Sequence, residues 1–293
     1  MIPLKTFGIW GNTEKDSFWE TLPKIVSWAD ENGLIAHLTT RILKDKNCTD
    51  HTRPTITSKD DIGSLDFMLV LGGDGTFLSL ARAMGHHQTP ILGIHLGDLG
   101  FLAKVTKNDL FTRLAQVVAG DFILEKRMLA KATIRKNGDT IHHVALNDFV
   151  LSNGESHRML TAKVKVNNHL VGNYRADGLI IATPTGSTAY SLSAGGPIVT
   201  PTVDSLIITP TSAHSLTSRP LVVPAGSSIA LEFPDTDDSI LFIADGQIHE
   251  SLDPSCKVEI TKAEFDINLV DFEDRDYFQT LRAKMGWGTR GEH

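Results

Sequence analysis

The sequence has few cysteines and no long hydrophobic run, and each absence restricts the class of protein. Cys48 and Cys256 are the only cysteines, and no pairing pattern surrounds them. We therefore expect free thiols in a reducing compartment. No apolar run approaches the roughly 20 residues that a membrane-spanning helix needs. Because Met1–Trp10 has no long apolar segment either, we expect no signal peptide, and the sequence predicts a soluble, cytoplasmic protein.

Excess positive charge is also missing. The 293 residues carry a formal net charge of -7, with 41% hydrophobic and 22% charged residues. This composition is typical of globular proteins. An acidic chain is poorly suited to bind nucleic acid or a membrane surface, so we expect neither partner. Small anionic ligands remain compatible with it, because they need only a local basic pocket.

Two common nucleotide-binding signatures are absent. The sequence has no Gly-Lys-Ser/Thr of a Walker A loop and no Gly-x-Gly-x-x-Gly fingerprint. Instead, Gly72-Gly73-Asp74-Gly75 follows the apolar run Phe67–Leu71 and precedes a helical pattern that starts at Thr76. A strand, a glycine turn and a helix N-terminus together favour a bound phosphate. Asp74 would repel that phosphate unless its carboxylate accepts a proton from an attacking hydroxyl; a purely structural turn is the alternative.

Strands alternate with helices up to about residue 122. Strand patterns occur at residues 6–10, 34–38, 67–71 and 90–96, and helical patterns end at Gly33, Gly85 and Gly120. This alternation predicts an α/β domain with a doubly wound, Rossmann-like parallel sheet. Asn12 or Thr13 is the expected N-cap of the first helix. Pro23 lies inside this helical pattern, so we expect it either to bend the helix or to mark its true start. Ligands of such sheets bind beyond the carboxyl ends of the strands, where Gly72–Gly75 and Gly97–Gly100 both fall.

Short strand patterns follow beyond residue 122. Turn signals such as Asn137-Gly138 and Asn167-Asn168 separate them, which predicts a β-sandwich-like second domain. Glu125-Lys126-Arg127 is interpreted as the solvated junction between the two domains.

A helical pattern ends the chain. Between residues 276 and 286, Phe278, Leu281 and Met285 recur on one side, which predicts a short amphipathic helix. We expect this helix to pack back on the first domain. The predicted domains are an α/β domain at residues 1–122, a β-rich nucleotide-binding domain at 123–271 and a C-terminal segment at 272–293.

Thr183–Pro197 is dense in hydroxyl-bearing and small residues. Core packing does not require this composition, which leaves backbone amides and side-chain oxygens open to a ligand, so the stretch predicts a ligand site. Other polar groups have ordinary explanations when each is taken alone. Asn147-Asp148 is explained as a bulge or a solvated strand position, Arg175 and Asp177 as a surface ion pair, and Asp245-Gly246-Gln247 as a turn.

Taken together, these motifs resemble those of the NAD kinase family, bacterial type. The turn Gly72–Thr76 is shared with diacylglycerol-type lipid kinases and phosphofructokinases, so it indicates only a superfamily. Thr183–Pro197 is more specific and resembles the second NAD kinase motif along its whole length, with Tyr190 placed against a ring of the nucleotide. Gly97–Leu102, Asn147-Asp148 and Asp245–Gln247 follow in the family's order, and the resemblance covers essentially the whole chain.

The resemblance implies an ATP-dependent phosphotransferase. The γ-phosphoryl group of ATP would pass to the 2′-hydroxyl of the adenosine ribose of NAD, giving NADP and ADP. Asp74 would be the general base, with Gly72 and Gly73 in the phosphate turn. A divalent cation, Mg2+ by expectation, would be held mainly by the ATP phosphates, and no protein side chain is predicted as a metal ligand. The family also implies a homodimer or homotetramer with the site near a subunit interface.

Matching motif positions assign NAD-binding roles to individual residues. Asn147 and Asp148 would hold the ribose next to the nicotinamide. Arg175, Asp177 and Gln247 would complete the pocket, some of them from a neighbouring subunit. The full predicted NAD-binding set is Asp74, Gly75, Asn147, Asp148, Arg158, Arg175, Asp177, Thr188, Ala189, Tyr190, Ser191, Leu192, Ser193 and Gln247.

Two positions depart from the family's pattern. Asp148 replaces the usual glutamate, which keeps the charge and shortens its reach, and Asp98 stands where asparagine is frequent. Two alternative functions stay open at this point, a lipid kinase with the same glycine–aspartate turn and a non-catalytic NAD(P) sensor. A lipid kinase would have no role for Thr183–Pro197. A sensor that only binds NAD(P) would not need the Asp74 carboxylate beside phosphates.

Overall fold

A computed structural model describes residues 4–97, 99–136, 138–154, 159–215, 217–234, 236, 238–274 and 276–287. The chain divides into two compact units, Met1–Lys126 with Ile267–His293, and Arg127–Asp266. The domain limits expected from the sequence stay predictions. Among the described residues, no helix has both the length and the apolar character needed to cross a membrane.

The first unit is an α/β domain. It contains the strands β1 (Thr6–Gly11), β2 (Ile35–Thr39), β3 (Thr55–Ile56), β4 (Phe67–Gly72), β5 (Ile91–His95) and β6 (Val105–Thr106). Its helices include α1 (Asp16–Glu31), α2 (Thr40–Leu43), α3 (Lys59–Gly63), α4 (Asp74–Met84) and α5 (Leu110–Ala119). The strand order is β5-β4-β1-β2-β3 with parallel neighbours. The predicted doubly wound parallel sheet is confirmed.

Strand β4 lies at the centre of this unit's core. All six of its residues are buried, as expected for a continuous apolar run covered on both faces. The ring of Phe67 stacks on that of Phe7 in β1, with centroids 5.0 Å apart. Helix α1 packs Phe18 and Ile25 against the same sheet, and burial of each such side chain contributes about 1.5–3 kcal/mol. Rigid central strands therefore carry the turns that follow them.

The predicted start of α1 was wrong. The helix begins at Asp16 after Lys15, whose side chain makes no capping hydrogen bond. The side chain of Asn12 instead accepts a hydrogen bond from the Glu14 N–H at 3.1 Å, which closes a turn before the helix. Pro23 lies inside α1 and does not mark its start.

The second unit is built from antiparallel strands. They are β7 (Ile123–Lys136), β8 (Asp139–Ala145), β9 (Asp148–Ser152), β10 (Leu160–Val166), β11 (His169–Ala176), β12 (Gly178–Ala182), β13 (Ser205–Thr211), β14 (Leu221–Pro224), β15 (Ile229–Glu232), β16 (Ile240–Ala244), β17 (Ile248–Leu252) and β18 (Lys257–Asp271). A 3-10 turn, Thr185–Thr188, and α6 (Tyr190–Ser193) follow β12. One sheet has the order β14-β13-β12-β9-β16-β17; the other contains β11-β10-β15-β18, with β7 paired to β18 and β8.

Both sheets of the second unit contribute to one hydrophobic core. Phe149 and Ile181 of the first sheet share this cluster with Val164 and Leu231 of the second. Cys256 also belongs to it, and both cysteines of the chain are buried free thiols. Two antiparallel sheets that face each other across a common core form a sandwich, so the predicted fold of this region is confirmed.

The C-terminal segment belongs to the first unit. Leu269 of β18 pairs in parallel with Ile91 of β5, and α7 (Tyr277–Met285) follows. The Tyr277 ring packs on Phe101, with centroids 6.3 Å apart. The expected apolar side of α7 was wrong in part, since Leu281 is buried whereas Phe278 is 53% exposed. The Tyr277 contact with Phe101 and the buried Leu281 side chain therefore both contribute to the packing of this short helix.

Candidate active site

Asp74 occupies the first position of α4, directly after the turn that ends β4. Its carboxylate accepts hydrogen bonds from three successive backbone N–H groups. The donors are Phe101, to Oδ2 at 2.9 Å, and Leu102 and Ala103, to Oδ1 at 3.0 and 3.1 Å. The donors directly follow Gly100, the last residue of the second glycine turn, in the segment after β5, the neighbour of β4. Parallel strand ends thus bring the two predicted turns into direct contact.

This arrangement explains why an acid belongs in the first turn. A negative charge at a helix N-terminus is favourable, and amide donors further stabilise it. The approach requires glycine at position 100, because a Cβ there would overlap with the Asp74 carboxylate. A carboxylate has about four lone-pair sites. Three backbone donors leave Oδ2 able to accept one more hydrogen bond, and Asp74 is only half-buried.

Behind this loop lies an ionic cluster that sequence reasoning missed. Lys104 follows the last amide donor directly, is 8% exposed, and pairs through Nζ with Glu125 at 2.8 Å and with Asp271. A buried ammonium between two carboxylates fixes the backbone that carries it. The interpretation of residues 125–127 as a solvated junction was wrong here, because Glu125 is half-buried in this cluster.

A second carboxylate, Asp245 in the second unit, is held in the same manner. It accepts hydrogen bonds from the N–H groups of Leu146 at 3.0 Å, Asn147 at 2.7 Å and Asp148 at 3.2 Å. Strand β9 begins at Asp148 and β16 ends just before Asp245, and these two strands pair. Two motifs that are far apart in the sequence therefore meet where β9 begins and β16 ends.

Asp148 has an unusual environment for a carboxyl group. Asp148 is only 4% exposed. Burial, and then the nearby charge of Asp245, raise the pKa of Asp148 to about 7. At neutral pH the group is therefore divided between a neutral form, which can donate a hydrogen bond, and an ionised form, which can only accept.

The start of the hydroxyl-rich stretch is attached to the same edge. Thr183 donates its backbone N–H to the Asn147 carbonyl at 2.8 Å and its hydroxyl to the Leu146 carbonyl at 2.5 Å. Gly186 passes so close to Asn147 that a Cβ would overlap with the Asn147 carbonyl oxygen. The buried Arg127 donates to the Thr185 hydroxyl at 3.3 Å, which also corrects its expected solvation. These contacts place Asn147-Asp148 beside the stretch.

The remaining predicted residues of the second unit differ in exposure. Thr188, Ala189 and Leu192 are half-buried, whereas Tyr190 and Ser193 are exposed. Ser191 is fully buried, and its hydroxyl forms a hydrogen bond with that of Thr209 at 2.8 Å. Part of the hydroxyl content therefore serves internal bonding, while the exposed members face solvent.

Arg175, Asp177 and Gln247 are also exposed. Within the described part of the chain, no ion pair joins Arg175 and Asp177, so the expected surface pair is not formed. Gln247 donates its N–H to the Ala244 carbonyl at 3.0 Å, in the turn that was expected. Arg158 lies outside the described residues. Among the residues described, no group of three or more His, Cys, Asp or Glu side chains is placed to hold a metal ion.

Comparisons with known proteins match both units. The model of the ATP-NAD kinase N-terminal domain matches residues 7–122, and that of the ATP-NAD kinase C-terminal domain matches residues 146–272. The chain is 37% identical over 290 residues to the NAD kinase of Syntrophotalea carbinolica, covering 98% of this chain and 100% of that one. It is 40% identical over 239 residues to the NAD kinase of Geobacter metallireducens, covering 81% and 84%.

Solved structures show the same likeness. Yeast NADH kinase complexed with NADH superposes with a TM-score of 0.87 at 26% identity, covering 99% of this chain and 89% of that chain. An NAD kinase from Archaeoglobus fulgidus in complex with ATP superposes with a TM-score of 0.75 at 24% identity, covering 96% and 98%, and supports the fold.

Proposed function

Because this chain belongs to the ATP-NAD kinase family, we propose that it transfers the γ-phosphoryl group of ATP to the 2′-hydroxyl of the adenosine ribose of NAD, giving NADP and ADP. It is an ATP-dependent phosphotransferase. In the reaction, an O–P bond forms between the ribose hydroxyl and the γ-phosphorus. The bond between that phosphorus and the bridging oxygen of ADP breaks, and the hydroxyl proton passes to a base.

The geometry of Asp74 is the observation that best supports this chemistry. Phosphoryl transfer depends mainly on positioning and charge neutralisation. A ribose hydroxyl is a weak nucleophile, and a carboxylate within hydrogen-bond reach can accept its proton. Asp74 is fixed by three amides, and its Oδ2 can accept one further hydrogen bond. We assign it as the general base.

The NAD-binding residues are proposed on the same basis. Asn147 and Asp148 would hold the ribose next to the nicotinamide, since both stand at a strand edge fixed by Asp245. In its neutral form, Asp148 would donate to a ribose oxygen, and in its ionised form it would accept from a ribose hydroxyl. Tyr190, whose ring is half exposed, would lie against a ring of the nucleotide.

Other expectations also stand as proposals. ATP would act as its magnesium complex, with the cation held mainly by the phosphates. The protein would work as a cytoplasmic homo-oligomer, dimer or tetramer, with the site near a subunit interface. The domain limits stay those expected from the sequence, with 1–122 for the α/β domain, 123–271 for the β-rich nucleotide-binding domain and 272–293 for a C-terminal segment that returns to the first domain.

One assay tests the proposed reaction directly. Purified protein is incubated with ATP, Mg2+ and NAD, and NADP is measured with an NADP-specific dehydrogenase. We expect NADP to accumulate with time and enzyme concentration. A parallel incubation with diacylglycerol in place of NAD tests the lipid kinase alternative, for which we expect no product. No NADP above a heat-killed control would refute the proposed function, and NAD binding without turnover would favour a sensor.

A further inference from the structure

The three amides that hold the Asp74 carboxylate belong to residues 101–103, which are neither helical nor part of a strand. These residues lie in the connection between β5 and β6. A connecting segment lacks the regular hydrogen bonds of a sheet or a helix, and it moves more easily unless other contacts fix it. The orientation of the proposed base therefore depends on what fixes residues 101–103.

Packing on β5 fixes the segment in one direction. A Cβ added to Gly93 would lie 2.8 Å from the Ala103 Cα and 2.9 Å from the Leu102 carbonyl oxygen. The two backbones approach this closely only because residue 93 has no side chain. This contact blocks movement of the segment toward the sheet, but it does not prevent movement away from it.

An ionic attachment follows the segment directly. The ammonium of Lys104 pairs with Glu125 Oε2 at 2.8 Å and with Asp271 Oδ2. All three residues belong to the first unit. Glu125 lies in β7 and Asp271 is the last residue of β18, a strand that pairs with both β7 and β5. The ammonium therefore ties the end of the segment to the sheet and restrains movement away from it.

Burial distinguishes this cluster from ion pairs at the surface. The side chains of Lys104, Asp271 and Glu125 are only 10%, 11% and 20% exposed. Salt and water screen such charges much less than exposed ones. Without the ammonium, two carboxylates with little access to solvent would stand close together, and like charges repel. The integrity of the cluster therefore depends on Lys104.

We propose that Lys104 is a positioning residue for phosphoryl transfer. Through the backbone of residues 101–103, it holds the three amides that orient the Asp74 carboxylate, without touching either substrate. This inference rests on the proposed function, because it requires Asp74 to accept the proton of the ribose hydroxyl. Catalysis is sensitive to such positioning, since a misplacement of about 1 Å can lower a rate roughly 100-fold.

Two substitutions at Lys104 test this role. Lys104→Met removes the charge and keeps most of the side-chain length, whereas Lys104→Arg keeps the charge. We expect Lys104→Met to lower kcat about 10- to 100-fold, because the base is displaced. KM for ATP and KM for NAD should change less than about threefold, since no substrate contact is lost. Lys104→Arg should restore kcat to within about threefold of the unmodified protein.

Lys107→Met is the matched control. Lys107 lies three residues further along the chain and pairs with Glu20 at 3.2 Å, with the two side chains 40% and 65% exposed. Because exposed ion pairs contribute little, kcat should change less than about twofold. Thermal melting checks that each variant folds. Glu125→Gln, which removes one carboxylate charge and leaves Asp271 in place, decides the question if Lys104→Met does not fold, and it should lower kcat about three- to tenfold.

A double-mutant comparison tests whether Lys104 acts through Asp74. Residues that act as a unit have non-additive effects, whereas the effects of independent residues multiply. Lys104→Met should therefore lower the residual kcat of Asp74→Asn by less than about twofold. The same factor in both backgrounds would show that Lys104 acts elsewhere, and it would overturn the inference.

The kinetic results separate the role of Lys104 from the proposed function. NADP formation with unchanged kcat in a folded Lys104→Met enzyme, or in Glu125→Gln if the former does not fold, would overturn the positioning role and leave the proposed function intact. A rise in KM for either substrate without a fall in kcat would have the same meaning. No NADP from the unmodified protein would remove both.

Discussion

Each unit contains a carboxylate held by three successive backbone amides, and the two differ mainly in access. Asp74 accepts from residues 101–103 and is half-buried, whereas Asp245 accepts from residues 146–148 and is 6% exposed. Only the first can be reached by a substrate hydroxyl without a change of structure. We therefore propose that the same hydrogen-bond pattern holds a catalytic base in the first unit and fixes the backbone in the second.

The largest expected effect tests the chemical half of this comparison. Asp74→Asn keeps the size of the side chain and removes the proton acceptor. We expect kcat to fall by roughly two orders of magnitude or more, because general bases contribute about 10²–10⁴-fold. NAD binding by calorimetry and the melting temperature should change little. Near-normal turnover would show that Asp74 is not the base.

Substitution of Asp245 should lower the stability of the protein, whereas substitution of Asp74 should lower its turnover. Asp245→Ala removes the acceptor of three N–H groups, and we expect the free energy of unfolding to fall by about 3 kcal/mol, measured by urea denaturation. Asp66→Ala is the matched control. Its carboxylate accepts from the Lys5 and Thr6 N–H groups at 2.7 and 2.8 Å, near the surface, where water can replace it. Equal losses in both variants would contradict the constructional role of Asp245.

The sequence identified one of these carboxylates and not the other, for a physical reason. An acid between glycines after a buried strand has few structural explanations, so Asp74 could be singled out. Asp245 follows a strand as many turn residues do, and its partners are backbone amides, which carry no side-chain signature. The cluster of Lys104 with Asp271 was missed because its members are far apart in the chain.

Fold class was easier to predict than internal bonding. The strand-helix alternation and the turn signals depend on local composition, and they gave both architectures correctly. The function of a hydroxyl group depends on what it faces. Ser191 and Tyr190 are neighbours in one motif, yet Ser191 bonds to Thr209 inside the unit while Tyr190 is exposed. Composition could indicate the stretch and could not separate these two roles.

Two glycine substitutions, with expected effects of intermediate size, test the same difference between the Asp74 and Asp245 regions. A Cβ on residue 100 would overlap with the Asp74 side chain, whereas one on residue 186 would overlap with the backbone carbonyl of Asn147. We expect Gly100→Ala to displace the carboxylate and to lower kcat roughly tenfold, which corresponds to a rise of about 1.4 kcal/mol in the activation barrier. The melting temperature should change little. Gly186→Ala should instead lower the free energy of unfolding by about 1–3 kcal/mol. The reverse assignment of effects would break the distinction between the units.

The smallest expected effect is the pH dependence of the free energy of unfolding that arises from burial of Asp148 beside Asp245. The pKa of Asp148 is raised from 3.8 to about 7 in the folded protein. Between these values the folded state binds a proton that the unfolded state has released, so stability falls as pH rises toward 7 and levels off above it. Relative to Asp148→Asn, the free energy of unfolding should fall by about 1 kcal/mol between about pH 6 and 7. Parallel pH dependence in the two proteins, measured by urea denaturation, would show that burial beside Asp245 does not retain the proton.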